Sequence, residues 1–196
     1  INNNDDILIY DNSDLKSSCR CWFSLLYFGH DEKKIHILNG GLKKWIFEKK
    51  PITKTETKIT ESNYVANKKD NLIVNFHQIK ENIKSKNFNV IDARSLERFE
   101  GKVSEPRKGL RSGHIENSFC LPYNQCIDQK TGEFKNLKEL KKIFDQYENK
   151  EKKIDPVFTC GSGVTASVLA YAYKMVNNDY IPKIYDGSWS EYGKYP

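Results

Sequence analysis

Apolar positions fall along the chain in two alternating rhythms. Short apolar-rich runs, Ile7 to Tyr10, Ile35 to Leu38, Phe88 to Ile91, Pro156 to Thr159 and Ile184-Tyr185, have the length of strands, and those at Ile7 to Tyr10 and before Cys160 read as buried. Between them lie segments with helical spacing. Trp22 to Phe28 is one, stopped by Gly29. Leu42, Trp45 and Ile46 form another after the turn Asn39-Gly40-Gly41. Phe76, Ile79 and Ile83 make a third, and Leu137, Leu140, Ile143, Phe144 and Tyr147 a clearly amphipathic fourth. Val164 to Val176 is the last. From Pro51 to Asp70 the sequence turns to Thr, Lys, Glu and Asn with no sustained period, which reads as a linker. A loop with Gly101, Pro106, Gly109 and Gly113 follows Asp92-Ala93-Arg94.

Strands alternating with helices predict an α/β fold, a mostly parallel central sheet flanked by helices. In such sheets ligands sit beyond the carboxyl ends of strands. Asp92 to Arg107 and Cys160 to Thr165 both follow strand ends, so they are expected to face one pocket. The pattern also repeats. Ile9-Tyr10-Asp11, a helix, then Leu38-Asn39-Gly40-Gly41 with Trp45 parallels Phe158-Thr159-Cys160, a helix, then Tyr185-Asp186-Gly187-Ser188 with Tyr192. The first copy has Asp11 where the second has Cys160. The expected organisation is residues 1–50 as the C-terminal part of an inactive unit, 51–70 as linker and 71–196 as the catalytic domain. About fifty residues with two strands would struggle to form a core alone. The chain is therefore expected to be the later part of a longer protein.

Composition narrows the classes. With 196 residues, 38% hydrophobic, the chain carries enough apolar material for a core. Its net charge of +6 comes from dispersed lysines, with pairs such as Lys33-Lys34 and Lys152-Lys153, and it holds only 5 arginines. That pattern describes a solvated surface rather than a nucleic-acid stripe. The most apolar stretch, Trp22 to Phe28, is too short to span a bilayer, and no charged-then-apolar leader is read at the start. Five irregularly spaced cysteines and the lack of an Asn-x-Ser/Thr acceptor fit a reducing compartment, cytoplasmic or mitochondrial. Cys19-x-Cys21 and Cys120-x5-Cys126 lack zinc spacing.

Cys160 is the candidate nucleophile. Gly161-Ser162-Gly163 lets the backbone curl so that successive amides turn toward the sulfur, and the helix beginning near Val164 adds its positive end. Such an environment favours a thiolate. A cysteine phosphatase with a similar cradle needs an arginine at the end of the loop; Ala166 and Ser167 stand there instead, which argues against phosphoryl transfer. Thr165 is expected to brace the loop or cap the helix. Asp92 is expected to pin its own loop, and Trp45 and Trp189 to pack.

Cys160-Gly-Ser-Gly-Val-Thr-Ala166 and Tyr185-Asp-Gly-Ser-Trp189 resemble the active-site and C-terminal motifs of the 3-mercaptopyruvate sulfurtransferase family of the rhodanese (thiosulfate sulfurtransferase) superfamily. Val90 to Arg94, Arg98-Phe-Glu-Gly101, Glu105 to Gly109 and Gly113-His-Ile115 match in order, and the likeness reaches back through Asn39 to Leu42 to Tyr10-Asp11. The resemblance implies two rhodanese-like domains, the first inactive. It implies sulfur transfer from a small-molecule donor through a Cys160 persulfide to cyanide or a thiol acceptor such as thioredoxin or a small thiol. With 3-mercaptopyruvate the product is pyruvate; no cofactor, nucleic acid or membrane is implied. Arg98 and Arg107 would hold the donor together with the loop residues Gly161, Gly163, Val164 and Thr165, while Ser162 would join a proton relay. The resemblance assigns the catalytic histidine to the first domain, outside these residues, so His114 is not expected to serve. Rhodaneses proper carry cationic residues at the positions of Gly161 and Ser162. A neutral loop attracts a thiosulfate dianion less, which favours mercaptopyruvate over the thiosulfate alternative. The other alternative is a noncatalytic rhodanese-like module binding an anion or a protein.

Overall fold

The computed structural model describes residues 1–147 and 154–195. The Lys152-Lys153 pair lies outside the described residues. Among the described residues there are two parallel sheets. The first pairs β1 (Ile7–Ile9) with β2 (Ile35–Ile37), connected by α1 (Lys16–Tyr27) and followed by α2 (Gly41–Phe47). Residues 51–69 contain no helix or strand. The second sheet is built from β3 (Ile73–Val74), β4 (Asn89–Asp92), β5 (Phe119–Cys120), β6 (Pro156–Thr159) and β7 (Ile184–Tyr185), in the order β3-β7-β6-β4-β5. Its helices are α3 (Phe76–Ser85), α4 (Leu96–Phe99), α5 (Leu137–Phe144), α6 (Val164–Val176) and α7 (Ser188–Tyr192).

The central strands β4 and β6 are buried on both faces, Val90, Ile91 and Asp92 in the first and all of Pro156 to Thr159 in the second. Alternation sends Val90 and Val157 to a core with Val74, Ile79, Trp189 and Tyr192. Ile91 and Phe158 go to the other face, against Leu140, Phe144, Leu169 and Tyr173. That second core continues into α1 through Trp22, Phe23 and Leu26. Trp22 meets Tyr171 edge-on with ring centroids 4.9 Å apart, so α1 and α6 pack directly. Arg20 on α1 pairs with Asp186, just after β7.

Several expectations need correction. The run Ile7 to Tyr10 is not buried throughout: Ile9 is buried, while Leu8 and Tyr10 are exposed. The helix expected from Trp22 starts at Lys16, and the one expected through Tyr147 ends at Phe144. Strands β3 and β5 and helices α4 and α7 are too short to leave a period in the sequence. Among the described residues no helix is long and apolar enough to cross a membrane.

Candidate active site

Strand β6 delivers Cys160 to the carboxyl edge of the sheet, and the chain curls through Gly161-Ser162-Gly163 into α6. Cys160 is buried, and the backbone N–H of Ser162 donates to its Sγ at 3.4 Å. Gly163 is the residue before the helix, with φ +78°. A methyl group built on it would stand 2.6 Å from Asp186 Oδ1 and 2.8 Å from an Arg20 nitrogen, so only glycine fits. Because Gly163 holds the cap position, Thr165 sits in the first turn of α6 and does not cap it.

The loop is fixed from the β7–α7 connection. The buried Ser188 hydroxyl accepts the N–H groups of Cys160 (3.3 Å) and Gly163 (3.1 Å) and donates to the Tyr185 carbonyl (2.8 Å). Trp189 N–H donates to the Cys160 carbonyl at 2.9 Å, and Ser190 N–H to the Gly161 carbonyl at 3.0 Å. The Ser190 hydroxyl donates to that same carbonyl. The other copy is built the same way: Leu42 N–H donates to the Asp11 carbonyl at 2.8 Å. There the Asp11 carboxylate accepts the backbone N–H groups of Ser13 (3.2 Å) and Ser18 (2.6 Å), so the loop's own side chain satisfies its amides.

Arg98, on α4, and Arg107, in the loop that follows it, come to the same place. A methyl group built on Gly161 would lie 3.2 Å from Arg98 Nη2 and 3.6 Å from Arg107 Nη1. Both guanidiniums therefore lie against the Cα of Gly161. Arg107 donates to Ser190 Oγ at 2.9 Å and to the Gly161 carbonyl at 3.3 Å. Arg98 lies along Glu105, with Nε to Oε1 at 3.2 Å and Nη2 to Oε2 at 2.5 Å. Glu105 is buried and also takes Arg94 Nη1 at 2.8 Å. Arg94 is buried in turn, held by Asp92 and the Gly113 carbonyl, with its guanidinium 4.4 Å over the Trp189 ring. Asp92 therefore serves its neighbour Arg94, as expected. His114 is exposed, stacked on Phe99 and bonded to the Phe99 carbonyl. Sequence reasoning missed the parts played by Ser188, Ser190 and Glu105, although Ser188 and Glu105 lie within motifs it singled out and Ser190 directly follows one.

The remaining cysteines have a different setting. Burial pushes Cys126 and Cys120 up to about 12 and raises Cys19 and Cys21 as well. These four stay protonated at neutral pH. The linkage has a definite sign. Cys126 keeps its proton in the folded state, whereas the unfolded chain releases it near 9.0, so its contribution is complete below pH 9 and is lost as pH rises toward 12. Unfolding by urea under reducing conditions is expected to show stability falling by roughly 1 kcal/mol per pH unit above 9 from this group alone. Cys126→Val should flatten that part of the slope; an unchanged slope would count against it.

The profile of the rhodanese-like domain matches residues 75–195. The chain is 34% identical over 218 residues to the thiosulfate/3-mercaptopyruvate sulfurtransferase 1, mitochondrial, of Arabidopsis thaliana, covering all of this chain and 56% of the relative. It is 35% identical over 192 residues to the 3-mercaptopyruvate sulfurtransferase of Homo sapiens, covering 95% of this chain and 62% of the relative. The crystal structure of SseA from Escherichia coli, described as a 3-mercaptopyruvate sulfotransferase, superposes with a TM-score of 0.81 at 30% identity, over 97% of this chain and 67% of that one. The chain thus spans less than two thirds of the length of these two curated relatives.

Proposed function

The chain belongs to the rhodanese-like domain family, and from that premise we propose that it is a sulfurtransferase carrying sulfur from 3-mercaptopyruvate to a thiol or cyanide through a persulfide on Cys160. The observation that carries the reading is the approach of Arg98 and Arg107 to Gly161, beside a cysteine whose sulfur receives a backbone amide. Two planar guanidiniums suit a carboxylate and its neighbouring keto oxygen. The Cys160 thiolate attacks the donor sulfur; the S–S bond forms as the C–S bond breaks. The electron pair leaves as the pyruvate enolate, which takes up a proton to give pyruvate. An acceptor thiolate then attacks the outer sulfur and Cys160 departs as thiolate, so the enzyme ends as it began. Ser162 would pass protons at the sulfur, and Gly163, Val164 and Thr165 complete the cradle. Thioredoxin or a small thiol fits as acceptor, and a cytoplasmic or mitochondrial setting suits a reactive thiol.

Residues 1–50 are read as the C-terminal part of a second, inactive rhodanese-like unit, with 51–70 as linker and 71–196 as the catalytic domain. The equivalent contacts Leu42 to Asp11 and Trp189 to Cys160 support that reading. Donor choice follows from the neutral Gly161-Ser162, which gives a dianion little to bind.

Intact mass after incubation with 3-mercaptopyruvate tests the function, beside thiosulfate and Cys160→Ser. One added sulfur atom, removed by a thiol and absent from the serine variant, is the expected result. A larger response to thiosulfate would overturn the donor, and no added sulfur from either would overturn the activity.

A further inference from the structure

We propose that Glu105 is a positioning residue that sets both the direction and the net charge of the donor site, and thereby selects a monoanionic donor over a dianionic one. This rests on the sulfurtransferase reading above. The carboxylate is buried, yet it is not a simple partner of one cation: it takes Arg94 on Oε1 and Arg98 on both oxygens. Arg94 is fully committed elsewhere in the interior, to Asp92 and the Gly113 carbonyl. Arg98 is a quarter exposed and is the partner that faces the Cys160 loop. By gripping Arg98 along its Nε–Nη2 edge, Glu105 fixes the plane of the guanidinium. Nη2 of that held edge then lies 3.2 Å, and Nη1 3.9 Å, from the position a methyl group on Gly161 would take.

Charge follows from the same contacts. Arg94 and Arg98 pair with Asp92 and Glu105, two positive groups against two negative, and Arg107, which donates to Ser190 Oγ, stands outside those pairs and adds one positive charge. With the Cys160 thiolate counted the site is close to neutral, which suits the single carboxylate of 3-mercaptopyruvate better than two negative charges. Thiosulfate, a dianion, enters the same site under-compensated, and it feels the buried negative charge of Glu105 twice as strongly as a monoanion does. Glu105 therefore penalises the dianion while holding Arg98 in place for the monoanion, so specificity comes partly from repulsion.

Glu105→Gln keeps the shape and removes the charge; Glu105→Asp keeps the charge and shortens the reach. Single-turnover sulfur uptake is measured with each donor, with the fold checked by circular dichroism. In the glutamine variant the ratio of uptake efficiencies is expected to move at least tenfold toward thiosulfate, chiefly through a lower half-saturation concentration for that donor. The aspartate variant, slower with both donors, should keep the wild-type ratio. A purely structural role would move both donors together in both variants. If the glutamine variant does not fold, the aspartate variant carries the test through positioning: its shorter reach should slow uptake from both donors at an unchanged ratio. A wild-type protein that takes up sulfur while the ratio stays fixed in Glu105→Gln, or while Glu105→Asp takes up sulfur at the wild-type rate where that stands in, overturns this inference alone. No uptake by the wild type overturns the sulfurtransferase reading and this inference with it.

Discussion

Arg94→Leu is expected to cost about 3–5 kcal/mol of folding stability, because it breaks a buried ion network from the centre. Arg94 and Asp92 are each 1% exposed by side chain and Glu105 2%, so none of them can exchange its lost partner for water. The guanidinium makes two bonds from Nε and one from Nη2 to Asp92, one from Nη1 to Glu105 and one from Nη2 to the Gly113 carbonyl. Leucine fills most of the volume but leaves Asp92 with the Arg94 backbone N–H at 3.0 Å as its remaining bond from this residue. The face of Trp189 also loses the cation lying on it. Arg94→Lys retains charge without the planar fork and should fall between wild type and leucine. Urea unfolding at neutral pH measures both. Pairing Arg94→Leu with Asp92→Leu should recover part of the loss, since the penalty is an unpaired buried charge rather than a missing attraction. A cost below about 1 kcal/mol for Arg94→Leu would show that water reaches the cluster after all.

The sequence displayed this site unevenly, and the unevenness has physical causes. Strand β6 and helix α6 were readable to the residue because the chain passes from Pro156-Val-Phe-Thr159, buried on both faces, straight through two glycines into a long apolar helix. Helix α1 was cut short in the reading because Lys16 to Arg20 carries no apolar repeat of its own; its buried members there are Ser18 and Cys19. Strands of two residues, β3 and β5, are defined by their partners across the sheet, Ile184-Tyr185 and Ile91-Asp92, and nothing local announces them. The same holds within the site. Cys160 stood out because strand, cysteine, glycines and helix are contiguous. Ser188 acts on Cys160 and Gly163, far back along the chain, so those partners meet it only once the sheet has formed, while the Glu105 partners Arg94 and Arg98 are near in sequence but at spacings with no helical or strand period. Of the two roles expected of Thr165, bracing the loop or capping the helix, the cap falls instead to Gly163, at φ +78° and with no side chain to serve it.

Removing the Ser188 hydroxyl is the change expected to disturb the Cys160 loop most without altering a residue of the loop itself. Ser188 has φ +51°, a left-handed backbone that glycine adopts more easily. Its counterpart in the other copy is indeed Gly41, at φ +58°. A serine is kept at an unfavourable backbone position, and its three hydrogen bonds explain why: two hold the N–H groups at either side of the loop and the third anchors the hydroxyl to β7. In Ser188→Ala two buried donors and one acceptor lose this partner, a cost of about 2–4 kcal/mol. Ser188→Gly loses the same bonds but relaxes the backbone, so it should be about 1 kcal/mol more stable than the alanine variant. Function should not follow that order. Both variants release the amides at Cys160 and Gly163 from their common anchor, and a displacement of about 1 Å at a nucleophile is worth up to 100-fold in rate. Single-turnover sulfur uptake from 3-mercaptopyruvate is therefore expected to fall on the order of 100-fold in both, while urea midpoints separate them. Wild-type uptake in Ser188→Ala would mean that Ser190, Arg107 and the Trp189 amide hold the loop unaided. Equal stability of the two variants would mean that the left-handed backbone at Ser188 costs nothing.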